Sequence, residues 1–468
     1  MKKIHTRIEF WIFIFFLVRL IGITNPPLET SHNWRQVTGL MVARNFVEID
    51  SNILYPRIDD ANGNTGIIGM EFPTLNYLYF LISYIFGYTH WYGRLINLII
   101  SSLGLFFFYK LVRLANFTEK LAFTATIVLA SSIWFSFSRK MMPDTYCISI
   151  MFMALYFGIR YVYEHKFYQI ILYIFFSSCA VLSKIPAGIY LIVPVLYLFN
   201  TAIHIRARFI FAIASMPALV LTYIWYFIWN PALSRTYGNW YNVGKSVSEG
   251  FFQIREHIQQ TLDNFYFDAF HSFILSAVCI VGIVSIIRRK QKKMILIFFV
   301  FFTIFLIYVL KSGYYFYHHN YYIIPFVPIM ALLVGYMFTL IQKKWIFISV
   351  LSLGIGESIA NQHHDFFIKE TETYKMSLEQ ILDSVSSRDD LIVVNGNGNP
   401  QLMYFAHRKG WNCIDTQLFD SVYIRSIVSK GCSFIVCNKH ALERECSLPY
   451  KKVFENNDFV VFFPQVVY

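Results

Sequence analysis

The segment Glu29-Thr-Ser-His32-Asn-Trp34-Arg35-Gln36 sets a carboxylate, an imidazole and a guanidinium close together. Such a group can move a proton beside a bound anion. Its plain alternative is a solvated loop: a helix cap at Thr30 or Ser31, Trp34 as an interfacial anchor, Arg35 on a lipid headgroup. Glu71-Phe72-Pro73 opens an apolar stretch, where partial desolvation would suit Glu71 to proton transfer; the alternative is an acid favoured by a helix dipole. Arg139, Lys140 and Asp144 stand between two apolar runs, with Pro143-Asp144-Thr145 a good helix start. A carboxylate at a membrane boundary beside two cations is also a functional candidate, and Arg139 has the fork geometry for phosphate oxygens. Lys184, isolated between two further runs, goes against the usual distribution of basic residues unless it meets an anionic lipid or snorkels. Tyr314 to Tyr322 sets His318 and His319 in an aromatic belt, able to bind phosphate or a metal or to be incidental to an interface.

These residues are presented by apolar runs. Hydrophobic residues make up 56% of the 468 and charged ones 15%, against about 25% in an ordinary soluble domain. Runs long enough to cross a bilayer lie near 8–24, 94–112, 121–138, 145–163, 167–183, 186–203, 208–229, 269–287, 294–311, 321–341 and 345–360. The net charge of +12 sits in short loops between them, as cytoplasmic anchors do, which argues against a nucleic-acid partner. Lys2-Lys3 precedes an apolar run followed by Asn25-Pro26-Pro27 and no small-residue cleavage site, so an uncleaved first span is expected.

The stretch 72–88 decides the topology. If it crosses, Lys110, Arg113 and Lys120 share a side with the acidic loop before it. If it lies in the interface, Lys2, Lys110, Lys166, Arg206, Arg288 and Lys343 all fall on one, cytoplasmic side. The second arrangement places loops 25–93, 139–144, 184–185, 230–268 and 312–320 on the opposite face with the tail. The expectation is therefore a mainly α, polytopic membrane protein of about eleven spans plus juxtamembrane helices.

The tail changes character. Leu391–Val394 reads as a buried strand, Asn395–Pro400 as a turn and Gln401–Lys409 as a helix stopped by Gly410. A strand at Trp411–Asp415, a helix near Ser421–Ser429, a strand at Ser433–Cys437 and a hairpin over Lys451–Pro464 follow. Residues 362–468 are thus expected to form a small α/β extracytoplasmic domain after a membrane module of residues 1–361, with 25–93 as its first external loop. The Gly-Asn-Gly-Asn turn lacks the third glycine of a dinucleotide site. Cys413, Cys432, Cys437 and Cys446 allow three disulfide pairings in an exported tail.

The order of these motifs resembles the GT-C superfamily of integral-membrane glycosyltransferases, in particular the protein O-mannosyltransferases and the bacterial transferases that add aminoarabinose to lipid A. The elements that carry the resemblance are Glu29/His32-Trp34-Arg35-Gln36, Glu71-Phe72-Pro73, Arg139 with Asp144, and His319-Asn320-Tyr321-Tyr322 followed by Pro325 and Pro328. Asn399-Pro400 with Tyr404 to Trp411 is similar to the exported tail of some bacterial members. The resemblance implies transfer of a sugar from a polyprenyl-phosphate carrier to an extracytoplasmic lipid, glycan or protein, with inversion at the anomeric carbon. On that reading Arg139, Lys184, His318 and His319 would meet the carrier phosphate, with Arg35, Gln36 and Tyr322 also binding substrate. Asp144 would be catalytic, and a divalent metal bridging it to the donor is allowed but no cofactor is required. The family carries an Asp-Glu or Asp-type pair directly before the Arg; here His32-Asn33-Trp34 stand there. Glu29, Glu71 and His32 therefore all stay open as base, Glu29 preferred because it shares that loop. The expected location is a bacterial inner or plasma membrane with lipids as neighbours, the charge pattern placing the N-terminus in the cytoplasm.

The main rival is a transporter or flippase of a polyprenyl-linked or other anionic lipid. Such proteins more typically show internal repeats and interrupted helices near the midplane. Here no convincing repeat is evident and the charges gather at span ends.

Overall fold

Phe, Ile and Leu in long uncharged runs leave no polar side chain to satisfy the backbone, so helices form and close their own hydrogen bonds. In the computed structural model, which describes residues 6–238, 244–442 and 445–466, helix dominates up to Asp383 and a single sheet follows. The basic pair Lys2-Lys3 lies outside the described residues. The chain divides into two units: residues 1–23, 94–227 and 242–366 form the first, and residues 24–93, 228–241 and 367–468 the second.

Among the described residues four helices are long and apolar enough to cross a membrane: Tyr92–Leu114, Pro143–Glu164, Ile205–Tyr237 and Lys292–Ser312. A fifth arises if Ile258–Asp268 and Phe273–Arg288, bent by 97°, count as one broken span. The eleven runs are thus mainly helical, but most fall short of a full crossing length. The run at 8–24 ends its helix at Arg19, before Gly22 at φ 67°. The run at 186–203 begins as a 3-10 turn, Ile185–Leu191, with Pro186 in its first turn. The run at 321–341 gives its start to the 3-10 turn Asn320–Ile323, and its α-helix, Val327–Leu340, carries Pro328 in its first turn. Proline removes a backbone donor and is tolerated only at such starts.

Within the first unit, helices 143–164 and 167–183 pack along each other, as do 119–131 and 327–340. Small residues permit the second contact. A Cβ on Gly335 would stand 2.9 Å from Ala125 Cβ and 2.9 Å from the Leu121 carbonyl.

The second unit contains Asn33–Glu48 and the amphipathic helix Thr74–Phe86. At thirteen residues the latter spans roughly 20 Å, short of a hydrocarbon core of about 30 Å. It buries Leu75, Tyr79 and Phe80 while Tyr84, Ile85 and Phe86 stay more than 70% exposed. Its sheet has strands β1 (Leu391–Val394), β2 (Gly410–Asn412), β3 (Cys432–Asn438), β4 (Tyr450–Glu455) and β5 (Phe459–Val466), in the order β2-β1-β3-β5-β4. β1 pairs in parallel with β2 and β3, while β5 runs antiparallel to β3 and β4. The expected strand at 411–415 is shorter, because the chain turns into the helix Asp415–Leu418. The expected helix at 401–409 stops at Ala406, with His407 left-handed at φ 49°. Cys437 and Cys446 form a disulfide; Cys413 and Cys432 are buried thiols.

Candidate functional site: a buried ion pair on an aromatic shelf

Asp144 owes its place to Pro143, which starts the helix Pro143–Glu164 and leaves Asp144 in the first turn. The loop before it is held from behind. The Asn97 side-chain amide faces the carbonyls of Phe137, Lys140 and Met142 at 3.2, 2.8 and 3.2 Å, and Thr145 Oγ1 donates to Asn97 Oδ1 at 3.2 Å. Lys184 sits where the helix Phe167–Ser183 ends in extended backbone, φ −164° and ψ 122°, before the 3-10 turn. Its ammonium donates to Asp144 Oδ1. Both side chains are almost wholly buried.

Aromatic rings complete this place. Lys184 Nζ lies 4.8 Å from the centre of the Tyr321 ring and 5.6 Å from that of Tyr322. Tyr322 stacks on Tyr308 at 5.9 Å, and the His319 ring stacks on Tyr321 at 5.2 Å. His318 stacks on Tyr314 at 4.7 Å and meets His319 edge-on at 5.3 Å. A cation over ring faces, itself paired to a carboxylate, can be accommodated inside an apolar surround.

Arg139 and Lys140 turn to other partners. Arg139 donates to the Ile21 carbonyl at 2.7 Å and to the Asp365 carbonyl at 3.5 Å, with its guanidinium 4.0 Å above the Phe366 ring. Lys140 Nζ pairs with Asp365 Oδ2 at 3.1 Å, and His364 Nε2 lies 3.1 Å from Asp365 Oδ1. Asp365, which the sequence shows only as the point where the tail begins, is thus the hub of a second buried charge cluster in the first unit.

In the second unit the candidates of the Glu29–Gln36 segment take separate partners. His32 stands at φ 56° immediately before the helix Asn33–Glu48. Glu29 is fully buried; its Oε2 accepts from Gln36 Nε2 at 3.2 Å, and its backbone bridges that of Ile368. Arg35 forms an ion pair with Glu71, both partly exposed. Glu71, expected as an acid beside an apolar helix, therefore carries a guanidinium partner. A further network goes unsignalled in the sequence. Arg44 pairs with Asp59 at 2.6 Å and lies over the Tyr404 ring, while Tyr404 and Tyr88 share a hydroxyl hydrogen bond of 3.0 Å. His407 lies between Glu48 and Glu379, at 2.9 and 2.8 Å. Burial pushes the His407 imidazole down, but hydrogen bonds to the two carboxylates outweigh it and raise it above its ordinary value.

A metal on Asp144 fits these residues poorly. A lysine ammonium already occupies the place a cation would take, and among the described residues no group of three His, Cys, Asp or Glu gathers as ligands.

The fold is one shared with membrane glycosyltransferases. Residues 71–228, about a third of the chain, match the family described as dolichyl-phosphate-mannose-protein mannosyltransferase. Among solved structures, ArnT from Cupriavidus metallidurans bound to undecaprenyl phosphate matches with a TM-score of 0.60 at 11% identity, over 97% of each chain. The oligosaccharyltransferase of Archaeoglobus fulgidus in complex with zinc and sulfate matches with a TM-score of 0.56 at 11% identity, over 91% of this chain and 67% of that one. The same archaeal enzyme, AglB, with an inhibitory peptide and a dolichol-phosphate matches at 0.53 and 10%, over 92% and 69%. At such identities the likeness is one of fold. No curated protein sequence matches the chain. The resemblance read from the order of the motifs is thus supported from two directions, a sequence family over one segment and a fold over nearly the whole length.

Proposed function

We propose that the protein transfers a sugar from a polyprenyl-phosphate carrier to an acceptor outside the cytosol. The observation that carries this reading is the buried Lys184–Asp144 pair on its shelf of Tyr321, Tyr322 and His319, in a fold shared with a transferase solved with undecaprenyl phosphate. Breaking the bond between the anomeric carbon and the carrier oxygen leaves the electron pair on the phosphate. Lys184 offsets that charge where water is scarce, and Asp144 holds the Lys184 ammonium in place. His319 and His318 add donors to the phosphate, with Arg139 a further cation. The acceptor hydroxyl attacks the opposite face of the sugar and its proton passes to a carboxylate. Glu29 is the preferred base, because it shares the loop in which the resembling family carries its acid, with Glu71 and His32 the alternatives. Arg35, Gln36 and Tyr322 orient substrate. A single displacement of this kind inverts the anomeric centre, and no step needs a metal.

On this reading the shorter apolar helices are also embedded, so that about eleven segments pass through or into the membrane of a bacterial cell. The basic loops face the cytosol. The α/β part faces outward, and the Cys437–Cys446 disulfide supports that placement, since such bonds persist in oxidising compartments.

The test compares cells with and without the gene by mass spectrometry of surface glycans, lipids and glycoproteins. It is paired with purified protein incubated with the lipids of the deleted strain. Loss of one sugar residue in the cells, with release of free polyprenyl phosphate in vitro, is expected. A donor lipid that changes leaflet with no sugar transferred would establish the flippase instead.

A further inference from the structure

The second unit holds a cleft of about 640 Å³ that none of the transfer chemistry uses. Its walls are the Asn62-Gly63-Asn64 turn, the end of β2 at Trp411-Asn412, and the helices Asp415–Leu418 and Ser421–Val428. The lining combines the carboxamides of Asn62, Asn64, Asn412 and Gln417 with the half-buried Tyr423, while Trp411, 3% exposed, belongs to the buried core. The exposed carboxamides of Asn62 and Asn64 offer both donor hydrogens and an acceptor oxygen, the pattern that neighbouring sugar hydroxyls require, while Gln417 Oε1 already accepts from Ile414 N at 3.1 Å. The Tyr423 ring offers a flat apolar face for the C–H side of a pyranose.

The cleft is fixed in shape. Ala61 and Asn62 both donate their amide hydrogens to the Gly410 carbonyl, at 3.0 and 2.9 Å, and Asn64 N closes the turn on the Ala61 carbonyl at 2.8 Å. Gly63, at φ 74°, lies flat on the indole; a Cβ there would stand 2.5 Å from Trp411 Cζ2. Side chains other than glycine cannot bring the turn so close.

The charge around the cleft is mixed. Lys430 is the single charged residue in the lining. The Asp60 backbone bridges that of Gly410 beside the turn. Asp420 takes up the amide of Val422 at the start of the helix Ser421–Val428, filling the place where a phosphate would otherwise settle.

We propose that this cleft is a binding subsite for a neutral saccharide, a sugar ring or a short uncharged glycan stretch. It goes beyond the transfer reaction and needs none of it: binding is read without a donor lipid, so a chain that transfers nothing can still show it, and the reverse.

The test uses the full chain in lipid nanodiscs and saturation-transfer NMR. The probes are methyl α-D-mannopyranoside, methyl β-D-glucopyranoside and the N-acetylglucosamine trimer, with galacturonic acid and inorganic phosphate as charged comparisons. At least one neutral probe is expected to receive saturation on its C–H protons. The signal should fall at least fivefold in Tyr423→Ala, which removes a ring, and in Ser426→Trp, which fills the cleft from an exposed position and keeps every other wall residue. The second variant decides the matter if the first lowers the melting temperature. No signal from any neutral probe, a signal untouched by Ser426→Trp, or binding of galacturonic acid or phosphate alone would each overturn the assignment.

Discussion

Asp144 and Lys184 are worth most to each other. Removing one partner of a buried pair strands the other's charge, at a cost of about 3–5 kcal/mol, whereas replacing both with neutral groups restores much of it. Asp144→Asn and Lys184→Met should each abolish transfer while the protein still inserts, and each should melt at lower temperature in detergent. The double variant should melt closer to the parent yet stay inactive. Full activity of Asp144→Asn would remove that carboxylate from the site. His407 gives a pH signature. Its imidazole is raised above the ordinary value by Glu379 and Glu48, so its stabilisation is complete below about 6.5 and disappears as pH rises through the folded-state value. Glu379, held down to about 2 chiefly by its hydrogen bond to His407, keeps its share until strong acid. His407→Gln should therefore lower the melting temperature by several degrees at pH 6 and by clearly less at pH 9. Asp144, Lys184 and Tyr322 were legible from their positions at the ends of apolar runs. Asn97 was not: an asparagine inside the helix Tyr92–Leu114 has no local signature, and only the return of residues 137–142 explains it.

Helices that approach as closely as 119–131 and 327–340 depend on what is missing between them. Gly335→Leu would press four carbon atoms into Ala125 and the Leu121 carbonyl, an overpacking worth about 1–3 kcal/mol. Gly335→Leu should show a lower detergent melting temperature, and Gly335→Ala a smaller drop in the same direction. The strands of the tail were readable because Leu391–Val394 and Cys432–Asn438 are short, β-rich and bounded by turns. Helix ends within the membrane runs were less so. Hydropathy is nearly uniform across the break at Lys184–Pro186 or the turn at Asn320–Ile323, so only prolines and isolated polar residues hint that a continuous apolar run folds as two pieces.

The whole chain alternates basic loops with loops rich in acids, histidine and aromatics, and its topology can be tested directly. In a background keeping the Cys437–Cys446 disulfide but lacking the other five cysteines, Ser51→Cys and Asp389→Cys should both react with an impermeant thiol reagent on intact cells. Lys290→Cys should react only after permeabilisation. Reaction at just one of the first two positions would break the sidedness argument. Sequence order suggested a membrane module followed by a tail; what it hides is that residues 24–93 and 228–241 cluster with 367–468. Periodicity describes neighbours along the chain, and this association links stretches far apart in it. The interleaving has a consequence for biogenesis. Residues 24–93 are made long before residues 367–468, so their unit cannot close until that later stretch has been synthesised. A chain stalled before residue 367 would leave residues 24–93 without those partners, open to proteases and chaperones.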